Sequence, residues 1–234
     1  MIADTLGLNR SSCHGILKTL VAGGLLEFEG REKTYALGPV LVALGARAWD
    51  TSDYIRVARP LLEGWVSKTR FTIFLARLLP DNEFIVVDRV ESTHNIKVTV
   101  SIGQRFPLIA AALGKAHLAC LPEEQARAML EAVELLPFTS HSITAIDAYM
   151  AELRHTRDRG WSESDREYYR GATAVAAPVL SPSGEVALLV CSVAADTDMT
   201  KKTVDSYGSA IKRLAEELAV RLFASASRRN IPAI

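Results

Sequence analysis

Two stretches of this 234-residue sequence carry residue types whose spacing suits a definite chemistry. Over residues 10–21, Arg10, Ser11, Ser12, His14, Gly15, Lys18 and Thr19 fall on one side of a helix, opposite Cys13, Ile16, Leu17, Leu20 and Val21. Short hydrogen-bonding groups on such a face can approach base edges, and Arg10 and Lys18 can reach phosphates. Arg31 and Lys33 sit at a polar tip a little further on and suit the DNA backbone or minor groove. The second stretch follows Pro107, where the chain enters a helix near Ala110. A helix start presents amides without intrahelical acceptors, and the small side chains of Ala111 and Ala112 let a carboxylate approach the amides of Ala112, Leu113 and Gly114. Each stretch also has a plain structural reading: a solvated amphipathic face in the first case, alanines packing a helix on a sheet in the second.

Other chemistries find less support. His117 beside Lys115, and Asp88 with Arg89 and Glu91, offer charge but no nucleophile with an activating base. His94, His117, His141 and His155 are scattered without metal-ligand spacing. The three cysteines, Cys13, Cys120 and Cys191, lie far apart and form no CxxC, as free thiols in a reducing compartment would. The expectation is therefore a protein that is not an enzyme and needs neither cofactor nor metal. Formal net charge is zero, and acidic and basic residues balance over residues 1–50, so any attraction to nucleic acid rests on local placement of Arg10, Lys18, Arg31 and Lys33. No signal peptide or membrane-length apolar run is visible, which predicts a cytoplasmic protein with no membrane partner.

The elements that must position these residues follow from periodicity. Ile2, Ala3 and Leu6 make a short helix, Gly7 turns the chain, and Asn9, Ser11 or Ser12 can cap the helix over 10–21. Gly23 and Gly24 stop it. Leu26 and Phe28, then Tyr35 and Leu37, alternate about the tip as a hairpin does, which completes a winged helix-turn-helix. Helices are predicted over 39–49 and 54–69, strands over 71–79, 84–90 and 96–102, and helices over 110–121, 122–135 and 142–159. An irregular or strand segment over 161–169, strands over 172–180 and 186–194, and a final helix over 200–226 complete an α+β chain with a sheet flanked by helices.

The whole pattern resembles the IclR family of bacterial transcriptional regulators. The resemblance rests on LGLNRSSCHGILKTL, GGLLE and YALGPVLVALG in the first part. In the second it rests on RPLLEGWVSKT, FIVVDRVES, IGQRFPLIAAALGKAHLACLP, ITAIDAYMAELRHTRDRGW and VAAPVLSPSGEV. It implies a winged helix-turn-helix over 1–38, a linker helix over 39–53 and a GAF-like effector-binding domain with a central antiparallel sheet over 54–234. The family pattern has one more helix ahead of the one at Ile2, so an N-terminally shortened DNA-binding domain is expected.

The implied partners are double-stranded operator DNA, a small organic or aromatic acid as effector, and a second copy of the chain in a homodimer that can pair into a tetramer. The alternative function is a small-molecule sensor module without effective DNA binding. The family's pocket positions add Ser164 and Asp165 on a lid segment, with Ala174, Val190 and Ser192 on the opposite wall. Ile109, Ala111, Ala174 and Val190 stand where some members carry polar groups, which implies a more apolar pocket. Tyr168, Tyr169 and Trp161 are expected as aromatic surface or as packing residues.

Overall fold

The computed structural model describes residues 2–50, 52–95 and 97–226, and the chain divides into two compact units, Met1–Asp53 and Tyr54–Ile234. In the first unit, helix α1 (Ile2–Thr5) ends at Gly7, whose φ of 63° reverses the chain. Helix α2 (Arg10–Ala22) begins at Asn9, whose side-chain oxygen accepts the Ser12 amide at 2.8 Å and the Ser11 hydroxyl at 3.0 Å. Strands β1 (Leu26–Glu29) and β2 (Thr34–Leu37) form the hairpin in the register Leu26↔Leu37 to Glu29↔Thr34. Helix α3 (Val40–Asp50) follows. Among the described residues of this unit only Ala3, Cys13 and Gly38 are buried, and Leu37, Val42 and Leu44 are exposed.

The second unit is built on a six-stranded antiparallel sheet in the order β5-β4-β3-β8-β7-β6. Its strands are β3 (Thr72–Leu78), β4 (Glu83–Val90), β5 (Arg105–Pro107), β6 (Ser162–Asp165), β7 (Ala172–Leu180) and β8 (Val186–Ala195). Side chains alternate between two layers. Phe74, Ala76, Ala172, Ala176, Leu189, Cys191 and Val193 face helices α5 (Ala111–Leu118), α6 (Glu123–Glu131) and α7 (Ile146–Arg159). Ile73, Leu75, Val175, Ala177, Leu188 and Val190 face α4 (Asp53–Thr69) and α8 (Val204–Ala226). Between these last layers the Trp65 indole donates to the Ser192 hydroxyl at 2.9 Å, which donates in turn to the Thr72 carbonyl at 3.0 Å.

The expected α+β architecture with a central antiparallel sheet is present. Three element expectations are corrected. The described part of 96–102 is not a strand, and Ile96 lies outside the described residues. The place beside β4 is taken by β5, and carbonyls of the segment are met by side chains instead: Thr72 Oγ1 donates to Val98 at 2.7 Å and Arg89 donates to Val100. Helix α6 stops at Glu131, where the Ala132 amide closes the last turn on the Ala128 carbonyl, and the expected continuation to 135 is absent. Helix α7 starts at Ile146 and not at 142, because the Ser142 hydroxyl is used to hold the Glu167 carbonyl at 2.7 Å. The charged group Asp88, Arg89 and Glu91 is structural: buried Asp88 meets Arg59 of α4 at 2.9 Å, and Arg89 meets Glu91 at 2.8 Å.

Every residue of α5 is buried, His117 included. Its ring meets Phe84 edge-on at 5.9 Å, and Nδ1 has no hydrogen-bond partner. Burial holds the imidazole below its ordinary value of 6.5, so the neutral ring is the folded form. The unfolded state therefore binds the proton first. The contribution of His117 is full above pH 6.5 and is lost as pH falls from there through the lower folded-state pKa, with a slope of at most about 1.4 kcal/mol per pH unit. His117→Leu should flatten this part of the stability profile in urea titrations between neutral and mildly acid pH. An unchanged slope would assign the loss to other groups.

Candidate functional site

The first turn of α5 closes one end of a cavity on the inner sheet face. Phe74 of β3, Phe106 of β5, Ala172 and Ala174 of β7, and Cys191 and Val193 of β8 form its floor. Ala110, Ala111, Ala112 and Leu113 form the helix end, and Ser164, Tyr168 and Tyr169 form the outer wall. The cavity volume is about 50 Å³. A water needs roughly 10–15 Å³, so the cavity, which is partly open to solvent, suits a compact ligand of a few heavy atoms.

The polar groups are few. At the helix start the Ala111 amide donates to the Ile109 carbonyl at 2.7 Å in a tight turn, and the Gly114 amide donates to the Ala110 carbonyl at 3.1 Å as a helix bond. Ala112 and Leu113 lie between them in the open first turn, where amides have no intrahelical acceptor. The Ser164 hydroxyl and two tyrosine hydroxyls complete the set, and no lining residue carries a charge. Burial and then Tyr169 push the Tyr168 phenol above its ordinary range, so it stays a donor. Tyr169 accepts from Gln104 Nε2 at 3.2 Å. The surface of the cavity is almost wholly apolar, so a ligand with a small apolar body suits it, and any polar group it carries would have to meet the helix start or these few hydroxyls.

Of the residues expected here, the cavity brings together Ala111, Ala112, Leu113, Ser164 and Ala174, with Tyr168 and Tyr169. The others lie elsewhere. Val190 and Ser192 point to the opposite sheet face, into the α4 and α8 layer, because alternation on β8 gives Cys191 and Val193 to the cavity. Gly114 has its amide committed to Ala110, and its α-carbon lies against Leu108: a Cβ there would sit 2.1 Å from the Leu108 carbonyl oxygen. Ile109 lines a separate recess of about 10 Å³ with Tyr149 and Glu167. Asp165 is turned to Arg166 at 2.8 Å, which holds its carboxyl below the usual carboxylate range. Trp161 packs in the α4 and α8 layer with the Arg159 guanidinium 4.0 Å from its ring centroid. Phe74, Phe106, Ala172, Cys191 and Val193 were not expected. The signal for the last two was the alternation of β8, once one residue of the strand is assigned a side.

The candidate nucleic-acid face lies in the first unit and is described by itself. Arg10, Ser11, Ser12, His14 and Lys18 are all exposed on α2, opposite buried Cys13. Arg31 and Lys33 are exposed at the tip of the hairpin, where Lys33 adopts φ 53°.

Residues 46–220 match the family model described as the C-terminal domain of the bacterial transcriptional regulator IclR. The chain is 31% identical to the HTH-type transcriptional regulator KdgR of Escherichia coli K12 over 185 residues, covering 79% of this chain and 70% of the relative. It is 26% identical to the transcriptional repressor IclR of the same organism, over 94% of this chain and 80% of the relative. Among solved structures, an IclR transcriptional regulator from Alicyclobacillus acidocaldarius superposes with a TM-score of 0.85 at 30% identity, covering 94% of this chain and 88% of that one. The Thermotoga maritima IclR superposes with a TM-score of 0.74 at 25% identity, covering 94% and 89%. Among the described residues no helix is long and apolar enough to cross a membrane.

Proposed function

The chain belongs to the IclR family of bacterial transcriptional regulators, and from that premise we propose that it binds operator DNA under the control of a compact organic acid. The family is one of regulators and not of enzymes. The assignment of segments that goes with this reading is a winged helix-turn-helix over 1–38, a linker helix over 39–53 and an effector-binding domain over 54–234. The observation that supports the effector class is the uncharged cavity at the open first turn of α5, where the amides of Ala112 and Leu113 have no intrahelical acceptor and the Ser164 side chain lies alongside. Its volume of about 50 Å³ and apolar lining favour short aliphatic acids over bulky aromatic ones.

Thermal shift and calorimetry with a series of short acids, each beside its methyl ester, test this reading. The acid is expected to stabilise the protein by about 2.7 kcal/mol at a hundredfold excess over Kd, and the ester to have little effect. Ala174→Asp, which sets a carboxylate against the bound one, should abolish the shift. Equal binding of acid and ester would overturn the helix-start assignment.

The α2 face with Arg10, Ser11, Ser12, His14 and Lys18 is the proposed DNA-reading surface, with Arg31 and Lys33 on the backbone or minor groove. A homodimer, able to pair further into a tetramer, supplies the two-fold symmetry that paired half-sites need. The apolar side of α3 formed by Val40, Leu41, Leu44 and Ala48, with Val40 and Leu44 exposed, supports a helix-to-helix seam for it. Lys18→Ala should weaken binding across all sequences and lower the salt slope by about one. The balanced charge of residues 1–50 favours the second reading, a sensor that does not grip DNA. DNA titrations against salt separate the two, because that reading predicts no slope for Lys18 to change.

A further inference from the structure

The outer wall of the cavity is a short loop, residues 166–171, joining β6 to β7. It enters and leaves through left-handed backbone, at Arg166 (φ 57°) and Gly171 (φ 74°). A non-glycine residue stays in that region only when its surroundings over-determine it. Several bonds do so here. Arg166 grips Asp165 at 2.8 and 3.1 Å, Thr139 Oγ1 donates to the Arg166 carbonyl at 2.7 Å, and Ser142 holds the Glu167 carbonyl. Tyr168 then packs on Phe106, Phe138 and Tyr169.

One contact in the loop has a different character. Lys115 of α5 is only 1% exposed, and its ammonium meets the Glu167 carboxylate at 2.6 Å. This joins the helix that ends the cavity to the loop that covers it, and Glu167 immediately precedes the two wall tyrosines. The pair lies behind the wall and not in the cavity. Beyond the carboxylate is the 10 Å³ recess, shared with Tyr149, whose buried hydroxyl has no partner. Burial raises the carboxyl of Glu167 and Lys115 lowers it, so the charged form depends on its partner. A buried ion pair is weak evidence for stability but a strong constraint on arrangement, since separating the partners strands a charge.

We propose that Glu167 is a positioning residue for effector binding: through Lys115 it holds Tyr168 and Tyr169 across the cavity, and the floor beneath them opens fully to ligand when the Lys115–Glu167 bond parts. The pair thereby sets both the size of ligand accepted and its rate of exchange. The inference rests on the reading of this cavity as the effector site, but its test does not require the effector.

Cys191 lines the floor beneath the wall and is 2% exposed, so the labelling rate of its thiol reports wall opening. Methyl methanethiosulfonate, small enough to pass an open wall, is the probe, with each cysteine followed separately by peptide mass spectrometry. Glu167→Gln, which keeps the shape and removes the charge, should accelerate Cys191 at least tenfold. Lys115→Met should do the same. Cys13 in the first unit and exposed Cys120 should keep their rates. Unchanged Cys191 labelling in both variants would overturn the proposal, and so would a Cys191 rate in the variants that rises with urea along the full unfolding slope, which marks general loss of structure in the second unit.

The wild-type protein supplies a second measurement. Wall opening exposes little surface, so its Cys191 rate should be nearly independent of urea below the unfolding transition. A rate that follows the full unfolding slope would show that access needs the whole unit to unfold, and would overturn the proposal. If acid and ester bind alike while Cys191 responds as expected, the effector class falls and the wall stands.

Discussion

Gly114→Ala is expected to destabilise the second unit by about 2 kcal/mol or more and to abolish binding of the acid. Helix propensity alone predicts the reverse, since alanine in a helix interior is favoured over glycine by about 1 kcal/mol. Contact decides the sign. The added Cβ would lie 2.1 Å from the Leu108 carbonyl oxygen and 2.9 Å from the Tyr149 hydroxyl. The first is backbone and cannot swing aside. Either α5 or the chain entering it must shift, and both carry lining residues of the cavity. Urea titration should show a lowered midpoint with an unchanged slope, and calorimetry should lose the heat of acid binding. A midpoint at or above wild type would mean that helix and loop can separate at no penalty, and the close approach would lose its meaning.

Gly208→Ala is expected to lower stability by about 3 kcal/mol, again against helix propensity. Here the added methyl would meet the Trp161 ring at 2.2 Å. A side chain can often retreat, but this one is hemmed in. Trp161 is 4% exposed, Arg159 stacks on its face at 4.0 Å, and the Arg159 Nε donates to its carbonyl at 2.7 Å. The double variant Gly208→Ala with Trp161→Phe tests the assignment, because the smaller ring makes room. The two changes should be less harmful together than their sum, by about 1–3 kcal/mol. Simple additivity would show that the loss at Gly208 comes from somewhere other than this ring.

How much of this was legible in the sequence differs by element, for physical reasons. Helices exposed on one face announce themselves: the stripes of 10–21 and 54–69 give α2 and α4 within a residue or so. The hairpin was legible because it alternates about a polar tip. Strand β8 was found, but its facing was not, because it is apolar on both sides. In LLVCSVA the alternation has little contrast, so the sequence offers Val190 and Ser192 to the cavity as readily as Cys191 and Val193. Helix α5 is buried all round and has no polar stripe to orient it. Gly114 was legible as a small residue at a helix start, but close approach to Leu108 and room for a ligand ask for the same glycine. The segment 96–102 has strand composition, yet side chains satisfy its carbonyls, which no local pattern encodes. Lys115 and Glu167 stand 52 residues apart, and only the fold brings them together.

The sheet order has a consequence for how the chain acquires its cavity. Strands β3 to β5 come from the first half of the second unit and β6 to β8 from the last, and the halves are joined in the sheet only by the β3–β8 pairing, Thr72↔Val193 to Ala76↔Leu189. Closing so long a loop is slow relative to local pairing, because its entropy must be lost before the ladder forms. The cavity lies across that seam, with Phe74 and Phe106 from one side and Cys191 and Val193 from the other. A ribosome-bound chain that has reached α7 has one part of the floor and the helix end, but lacks the rest of the floor and the outer wall. The complete cavity is therefore a property of the finished chain, and a nascent one cannot yet present it.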